Sequence, residues 1–123
     1  MPKTILIVDD SSSLRAVVGI ALTRAGYEVI EAGDGVEALA RLEKVAKVHL
    51  VVCDVNMPRM DGITFVQQLK LQPRHKFTPV VMLTTEGQQE KMMQGKQAGA
   101  KAWILKPFNP PQLLDAVSKL VLA

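Results

Sequence analysis

Cysteine is almost absent from this chain, and long apolar runs, aromatic clusters and blocks of like charge are missing altogether. The single cysteine, Cys53, cannot close an internal disulfide, and its place inside an apolar run marks it as an inert core thiol rather than a nucleophile. That usage agrees with a reducing compartment. Nothing approaches the roughly eighteen consecutive apolar residues that span a bilayer. The start, MPKTILIVDD, has too short an apolar stretch and too early a pair of acids for a signal peptide. A cytoplasmic location is therefore expected, without membrane association. Fifteen basic and twelve acidic side chains leave a net charge of only +3. With no like-charge block and no interleaved aromatics, nucleic-acid binding is not indicated.

No internal repeat, low-complexity segment or linker divides the sequence, so one domain over residues 1–123 is expected. A composition of 48% apolar and 22% charged residues suits a soluble globular domain. A chain of this length buries roughly two-thirds of the surface its unfolded form exposes, so no cofactor or disulfide is needed to hold it. Short apolar, β-branched runs stand at Thr4–Val8, Tyr27–Ile30, His49–Cys53, Pro79–Leu83 and Lys101–Leu105. Helix-period stretches lie between them. The first places Leu14, Val17, Val18, Ala21, Leu22 and Ala25 at helical spacing, with Ser11 to Ser13 as candidate caps and Gly26 as the stop. The last follows Asn109 and Pro110, with Leu113, Leu114, Val117, Leu120 and Val121 on one face. Asp34 and Asp61 precede two more, through Val36, Leu39 and Leu42 and through Phe65, Val66 and Leu69. The fourth, GQQEKMMQGKQAGA, has little apolar content beyond Met92, Met93 and Ala98 and carries Gly95 in its interior, so it is expected to be the least stable helix.

Alternating strands and helices imply a parallel sheet covered on both faces, which explains why ILIV and VVML do not alternate with polar residues. The expected fold is α/β and doubly wound. In such sheets the ligand crevice lies beyond the carboxyl ends of the strands. Four of the five apolar runs end there on a charged or reactive side chain: Asp9 and Asp10, then Asp54, then Thr84 and Thr85, then Lys106. Converging carboxylates repel by about 4 kcal/mol per pair at roughly 4 Å and an effective dielectric of about 20, unless they protonate or bind a cation. With oxygen ligands only and no His or Cys cluster, a hard divalent ion such as Mg²⁺ is the natural partner. A lysine and a hydroxyl on the same rim supply donors for an incoming anion, and the set reads as phosphoryl-transfer equipment.

The ordered set of DD, then D followed by NMPRMDG, then TT, then KPF resembles the receiver domain of bacterial response regulators, and the resemblance covers essentially the whole chain. It implies a flavodoxin-like fold, five parallel strands in the order 2-1-3-4-5 with five helices. By the same resemblance Asp54 is the phosphoacceptor. Asp10 and Asp54 ligate Mg²⁺, for which Mn²⁺ can substitute, Asp9 acts mainly through water, and Asn56 offers its backbone carbonyl. Thr84 bonds the phosphoryl group and moves on activation, while Lys106 pairs with a phosphoryl oxygen and forms a cis peptide with Pro107. Asn56 and Glu86 hold the positions that modulate hydrolysis of the acyl phosphate, or else are solvated loop residues; as a pair they resemble short-lived chemotaxis (CheY-type) regulators.

Implied partners are a histidine kinase or its phosphotransfer domain and a downstream protein target, with the protein a monomer. The family's output face, its fourth helix, fifth strand and fifth helix, here carries Lys91, Lys96, Lys101 and Trp103. Those lysines contact a partner or form a solvated face. Leu14, Arg15 and Val18 match the region where histidine-bearing partners dock, although Leu14 and Val18 equally suit the core. The family usually has Tyr or Phe as its switch aromatic where this chain has Trp103, which serves either as the switch or as a half-exposed strand aromatic. His49 and His75 are isolated and read as surface or structural residues.

The resemblance implies a stand-alone response regulator that accepts a phosphoryl group, with a phosphorelay intermediate or phosphate sink as the alternative. It is no enzyme beyond catalysing its own phosphorylation and dephosphorylation. A haloacid-dehalogenase-type phosphatase would need a carboxylate where Asn56 stands and more chain for a substrate cap. A flavodoxin-like electron carrier would need a phosphate loop, and DDSSSLR places carboxylates where an anion must sit. A phosphorylation-independent adaptor would leave the chemical positions without a use.

Overall fold

The structure is a computed structural model that describes residues 2–85, 87 and 89–121. Along the chain it forms β1 (Thr4–Val8), α1 (Ser12–Arg24), β2 (Glu28–Ala32), α2 (Gly35–Lys44), β3 (Leu50–Asp54), α3 (Gly62–Leu71), β4 (Val80–Thr85), α4 (Gln89–Ala98), β5 (Ala102–Lys106) and α5 (Pro110–Leu120). The strands make one parallel sheet in the order β2-β1-β3-β4-β5. From β1 the chain first steps to one side, then crosses to β3 on the other, so the order reverses between β1 and β3 and opens a crevice at their carboxyl ends.

Alternation along each strand divides the core in two. Leu6, Val8, Val51, Cys53, Val80 and Met82 face α2, α3 and α4, packing with Ala38, Leu42, Phe65 and Leu69. Ile5, Ile7, Leu50, Val52, Val81, Leu83 and Ile104 face α1 and α5, packing with Val18, Leu22, Leu113 and Val117. Each large apolar side chain fully buried in this way contributes roughly 1.5–3 kcal/mol, so the three central strands carry much of the stability.

Side-chain caps start four of the helices. Ser11, Asp34, Asp61 and Asn109 accept from the backbone N–H groups of Leu14, Glu37, Thr64 and Gln112 at 3.2, 2.9, 2.8 and 3.0 Å. Gly26, at φ +98°, turns the chain out of α1 as its position suggested. Two apolar positions depart from the expected stripes. Val17 is 55% exposed and Val36 40%, because the buried face of α1 runs through Val18, Gly19 and Leu22 and that of α2 through Gly35, Ala38 and Leu42. Strands β3, β4 and β5 also extend past the apolar runs to include Asp54, Thr84, Thr85 and Lys106, while β2 begins and ends later than Tyr27–Ile30. No helix among the described residues is long and apolar enough to cross a membrane.

Helix α4 is thinly anchored, as its composition suggested: Gly95 is its only buried residue, and Met93 is exposed. A Cβ at Gly95 would lie 3.5 Å from Trp103 Nε1 and 3.7 Å from Met82 Cγ, ordinary contact distances. Replacing Gly95 by Ala therefore removes a helix penalty of about 1 kcal/mol without a clash. The Gly95→Ala variant is expected to unfold roughly 3–5 °C higher in a calorimetric scan. A lower midpoint would show that the indole needs the room that Gly95 leaves.

Candidate functional site

The carboxyl edge of the sheet gathers the charges. Asp9, just after β1, is fully buried, and Asp54, the last residue of β3, is 5% exposed. Asp10 beside them is exposed. One carboxylate oxygen from each of the three lies within 4.8 Å of the others. Lys106, ending β5, sends its ammonium between two of them, 2.8 Å from Asp9 Oδ2 and 3.4 Å from Asp54 Oδ2. The Lys106–Pro107 peptide is cis. Asp9 is held further by the Ser11 backbone N–H, which donates to its Oδ1 at 2.9 Å. Arg15 donates to the Asp9 backbone carbonyl, but its guanidinium pairs with Glu31 at 3.1 Å.

Local packing explains why the chain leaves Asp54 through DG. A Cβ on Gly62 would sit 2.0 Å from the Asp54 carbonyl oxygen, so only glycine lets α3 start this close to the strand end. Gly62 N–H donates to Val55 O at 2.9 Å, and Val55 N–H to Leu83 O at 3.1 Å, which pins both ends of the β3–α3 loop.

Electrostatically the cluster is strained. Burial first, and the Asp9 charge second, raise the Asp54 pKa, against the opposing pull of Lys106 and of the Asn56 backbone N–H. Burial works to lower Lys106, but its hydrogen bond to Asp9 and the charges of Asp54 and Asp9 outweigh that and hold it above its ordinary value. Ionised carboxylates at 4.8 Å repel by about 3–4 kcal/mol at an effective dielectric of about 20, and one ammonium cannot neutralise three. The excess negative charge, the oxygen-only donors and the open flank at Asp10 fit a hard divalent cation.

The other expected residues divide. Thr84 is buried at the end of β4, next in line after Met82 on the face that α4 covers. Trp103, paired in register with Met82, lies on that face too. Its ring meets Gly95, and its indole N–H is buried without an acceptor among the described residues. Asn56 is exposed in the β3–α3 loop, and Glu86 lies outside the described residues. Cys53 is buried with its thiol pKa pushed well up, chiefly by burial, as suits an inert core residue. His49 Nδ1 accepts from the Thr4 N–H at 3.0 Å, and His75 is buried in the α3–β4 loop. Beside Lys106 opens an apolar groove of about 490 Å³, lined by Ser13, Leu14, Val17, Thr85, Phe108 and Pro110 among others. The exposed Val17 belongs to this groove. Sequence reasoning missed the bidentate pair of Arg59 with Asp34, which no local spacing signals.

Comparison with known proteins adds a family. The response regulator receiver domain matches residues 5–118. Chemotaxis protein CheY1 of Helicobacter pylori is 40% identical over 112 residues, 90% of each chain. Chemotaxis protein CheY of Thermotoga maritima is 36% identical over 122 residues, 98% of each. The solved structure of Vibrio cholerae chemotaxis protein CheY4 superposes with a TM-score of 0.92 at 46% identity, covering 98% of this chain and 99% of that one.

The raised Asp54 carboxyl carries a stability consequence with a definite sign. Between its unfolded and its raised folded pKa the folded state binds the proton more tightly, so stability falls as pH rises through that window and stays lower above it. Without divalent ions at neutral pH, Asp54→Asn is expected to unfold several degrees higher than the wild type. The difference should shrink as pH falls below the window, and equal midpoints at neutral pH would refute the strain.

Proposed function

The chain belongs to the response regulator receiver domain family, and on that premise we propose that it is a stand-alone phosphoacceptor switch of the chemotaxis type. The likeness to the chemotaxis proteins of Helicobacter pylori and Thermotoga maritima supports the chemotaxis reading. The observation that carries the reading is the Asp9–Lys106–Asp54 arrangement beside the exposed Asp10, a buried carboxylate nucleophile with its cation already in place.

In the proposed reaction an Asp54 carboxylate oxygen attacks the phosphorus of a phosphohistidine or of a small acyl phosphate. A P–O bond to Asp54 forms, and the bond to the donor breaks, the donor keeping the electron pair. Lys106, already 3.4 Å from Asp54, follows the new charge onto a phosphoryl oxygen and stays anchored by Asp9. Thr84 donates its hydroxyl to another phosphoryl oxygen. Asp10, Asp54 and the Asn56 carbonyl, with Asp9 acting through water, would hold Mg²⁺, which would supply charge neutralisation at the phosphoryl group. Water attack later returns Asp54, at a rate that Asn56 and Glu86 modulate.

The output follows from where Thr84 sits. It shares with Trp103 the sheet face under the thinly anchored α4, so drawing Thr84 toward the phosphoryl group opens space that Trp103 and α4 can take up. The α4–β5–α5 face then binds a downstream protein target. The apolar groove beside Lys106 suits the flank of a histidine-bearing partner, a kinase or its phosphotransfer domain. The protein works as a cytoplasmic monomer.

Incubation with acetyl phosphate, read by intact mass, tests the reading. One phosphoryl group should be gained only with Mg²⁺ (or Mn²⁺) present, and Asp54→Ala should gain none. Labelling that persists in Asp54→Ala, or that proceeds equally with EDTA, would overturn it. Trp103 is the only tryptophan, so its fluorescence should change on phosphorylation.

A further inference from the structure

One ion pair outside the carboxylate cluster ties the β3–α3 loop to α2. Arg59 Nε donates to Asp34 Oδ2 at 2.8 Å and Nη2 donates to Oδ1 at 3.1 Å, the fork geometry that binds a carboxylate most specifically. Asp34 is nearly buried where it caps α2, whereas the Arg59 side chain is mostly exposed. Arg59 itself stands at the centre of a tight turn. Met60 N–H donates back to Pro58 O at 2.6 Å, and Arg59 adopts φ +63°, a region that L side chains other than Asn and Asp seldom occupy. The same stretch meets α2 twice more. Gly35 N–H approaches Met60 O at 3.4 Å, and the Met60 side chain lies so near Gly35 that a Cβ there would come within 2.8 Å of it.

These contacts converge on a loop that contributes to the charged site. Asn56, three residues before Arg59, lies in this loop just two residues beyond Asp54, the end of β3. The two loop ends are pinned to β4 and to α3, so what remains to be set is the course of its middle, and Arg59 is where α2 grips it. The Arg59 hydrogen bond is also the largest influence holding the Asp34 carboxyl below its ordinary pKa, so the pair is intact at neutral pH.

We propose that Asp34 and Arg59 form a positioning clasp, which holds the loop carrying Asn56 in an unfavourable turn and thereby sets the affinity of the Asp9, Asp10 and Asp54 site for a divalent cation. The clasp rests on the metal-binding reading of that site. It also explains an arginine where the backbone would be better served by glycine: the side chain is needed even though the turn disfavours it. Loosening the clasp leaves the loop to be ordered when the ion binds, which lowers affinity without touching a ligand.

Two substitutions separate positioning from structure. Arg59→Gly removes the fork but suits the positive φ. Asp34→Ser removes the fork but keeps the α2 cap. Each variant should melt close to the wild type, yet bind Mg²⁺ about tenfold more weakly in isothermal titration calorimetry. Arg59→Lys, which keeps the charge without the fork, should fall between. The Arg59→Gly/Asp34→Ser double variant should be no weaker than the weaker single one, since both changes break the same clasp. Wild-type affinity in both single variants, or losses that multiply in the double one, overturns the clasp. With the wild type binding Mg²⁺ and Asp54→Asn failing to, such a result leaves the metal site standing. A wild type that does not bind Mg²⁺ at all overturns the metal reading, and the clasp with it.

Discussion

Repulsion between Asp9 and Asp54, two buried carboxylates that share the single ammonium of Lys106, is the constraint around which the carboxyl edge of this sheet is organised. Burial is what makes the repulsion strong, because water that would screen the charges is excluded. Burial in turn comes from the topology, since the strand order reverses between β1 and β3 and places Asp9 and Asp54 side by side. Lys106 reaches back to them from the end of β5, where it is in register with Thr85, two residues beyond the Leu83 that pairs with Asp54. The sheet thus holds the charges in a geometry that would relax in a flexible loop. An added cation, or a phosphoryl group that lets Lys106 redistribute its contacts, acts on tension already present in the fold.

Much of this was legible in the order of residues, for a physical reason. A parallel strand covered on both faces must be apolar throughout, so a charged or reactive side chain that closes such a run marks the strand end and the candidate site together. Asp54, Thr84 and Lys106 stand out on that ground alone, and the structure incorporates all three into the ends of their strands. Caps such as Asp34 and Asp61 were readable because a cap acts within three residues of itself. What escaped reading acts at a distance. The Arg59–Asp34 fork joins residues 25 apart, and nothing near either residue announces the other. Val17 has the right spacing for the core but falls to one side of Val18 and Leu22, where it lines the groove near Lys106 instead.

The two sides of the site differ in stiffness. On the β3–α3 side, Gly62 packs against the Asp54 carbonyl, Val55 is bonded to Leu83, and Arg59 is bonded to Asp34. On the β4–α4 side, the helix buries only Gly95, and Trp103 beneath it has an indole N–H without an acceptor among the described residues. An unpaired buried donor costs free energy that another arrangement could recover. The resting position of the ring is therefore held mainly by packing against Gly95 and Met82.

This asymmetry gives a change at Asp54 a direction. A perturbation at a point between a stiff and a soft support moves the soft one, because displacing the stiff one breaks several bonds at once. Thr84 borders the soft side, on the same sheet face as Trp103, and Lys106 ends the strand that carries Trp103. In the proposed switch, a charge rearrangement at Asp54 would reach α4 through two neighbouring strands, while the loop bearing Asn56 would keep its shape. Stiffness around Asp54 and slack under α4 are complementary requirements of the proposed switch: the first sustains the electrostatic tension, and the second would let its release be felt at the surface.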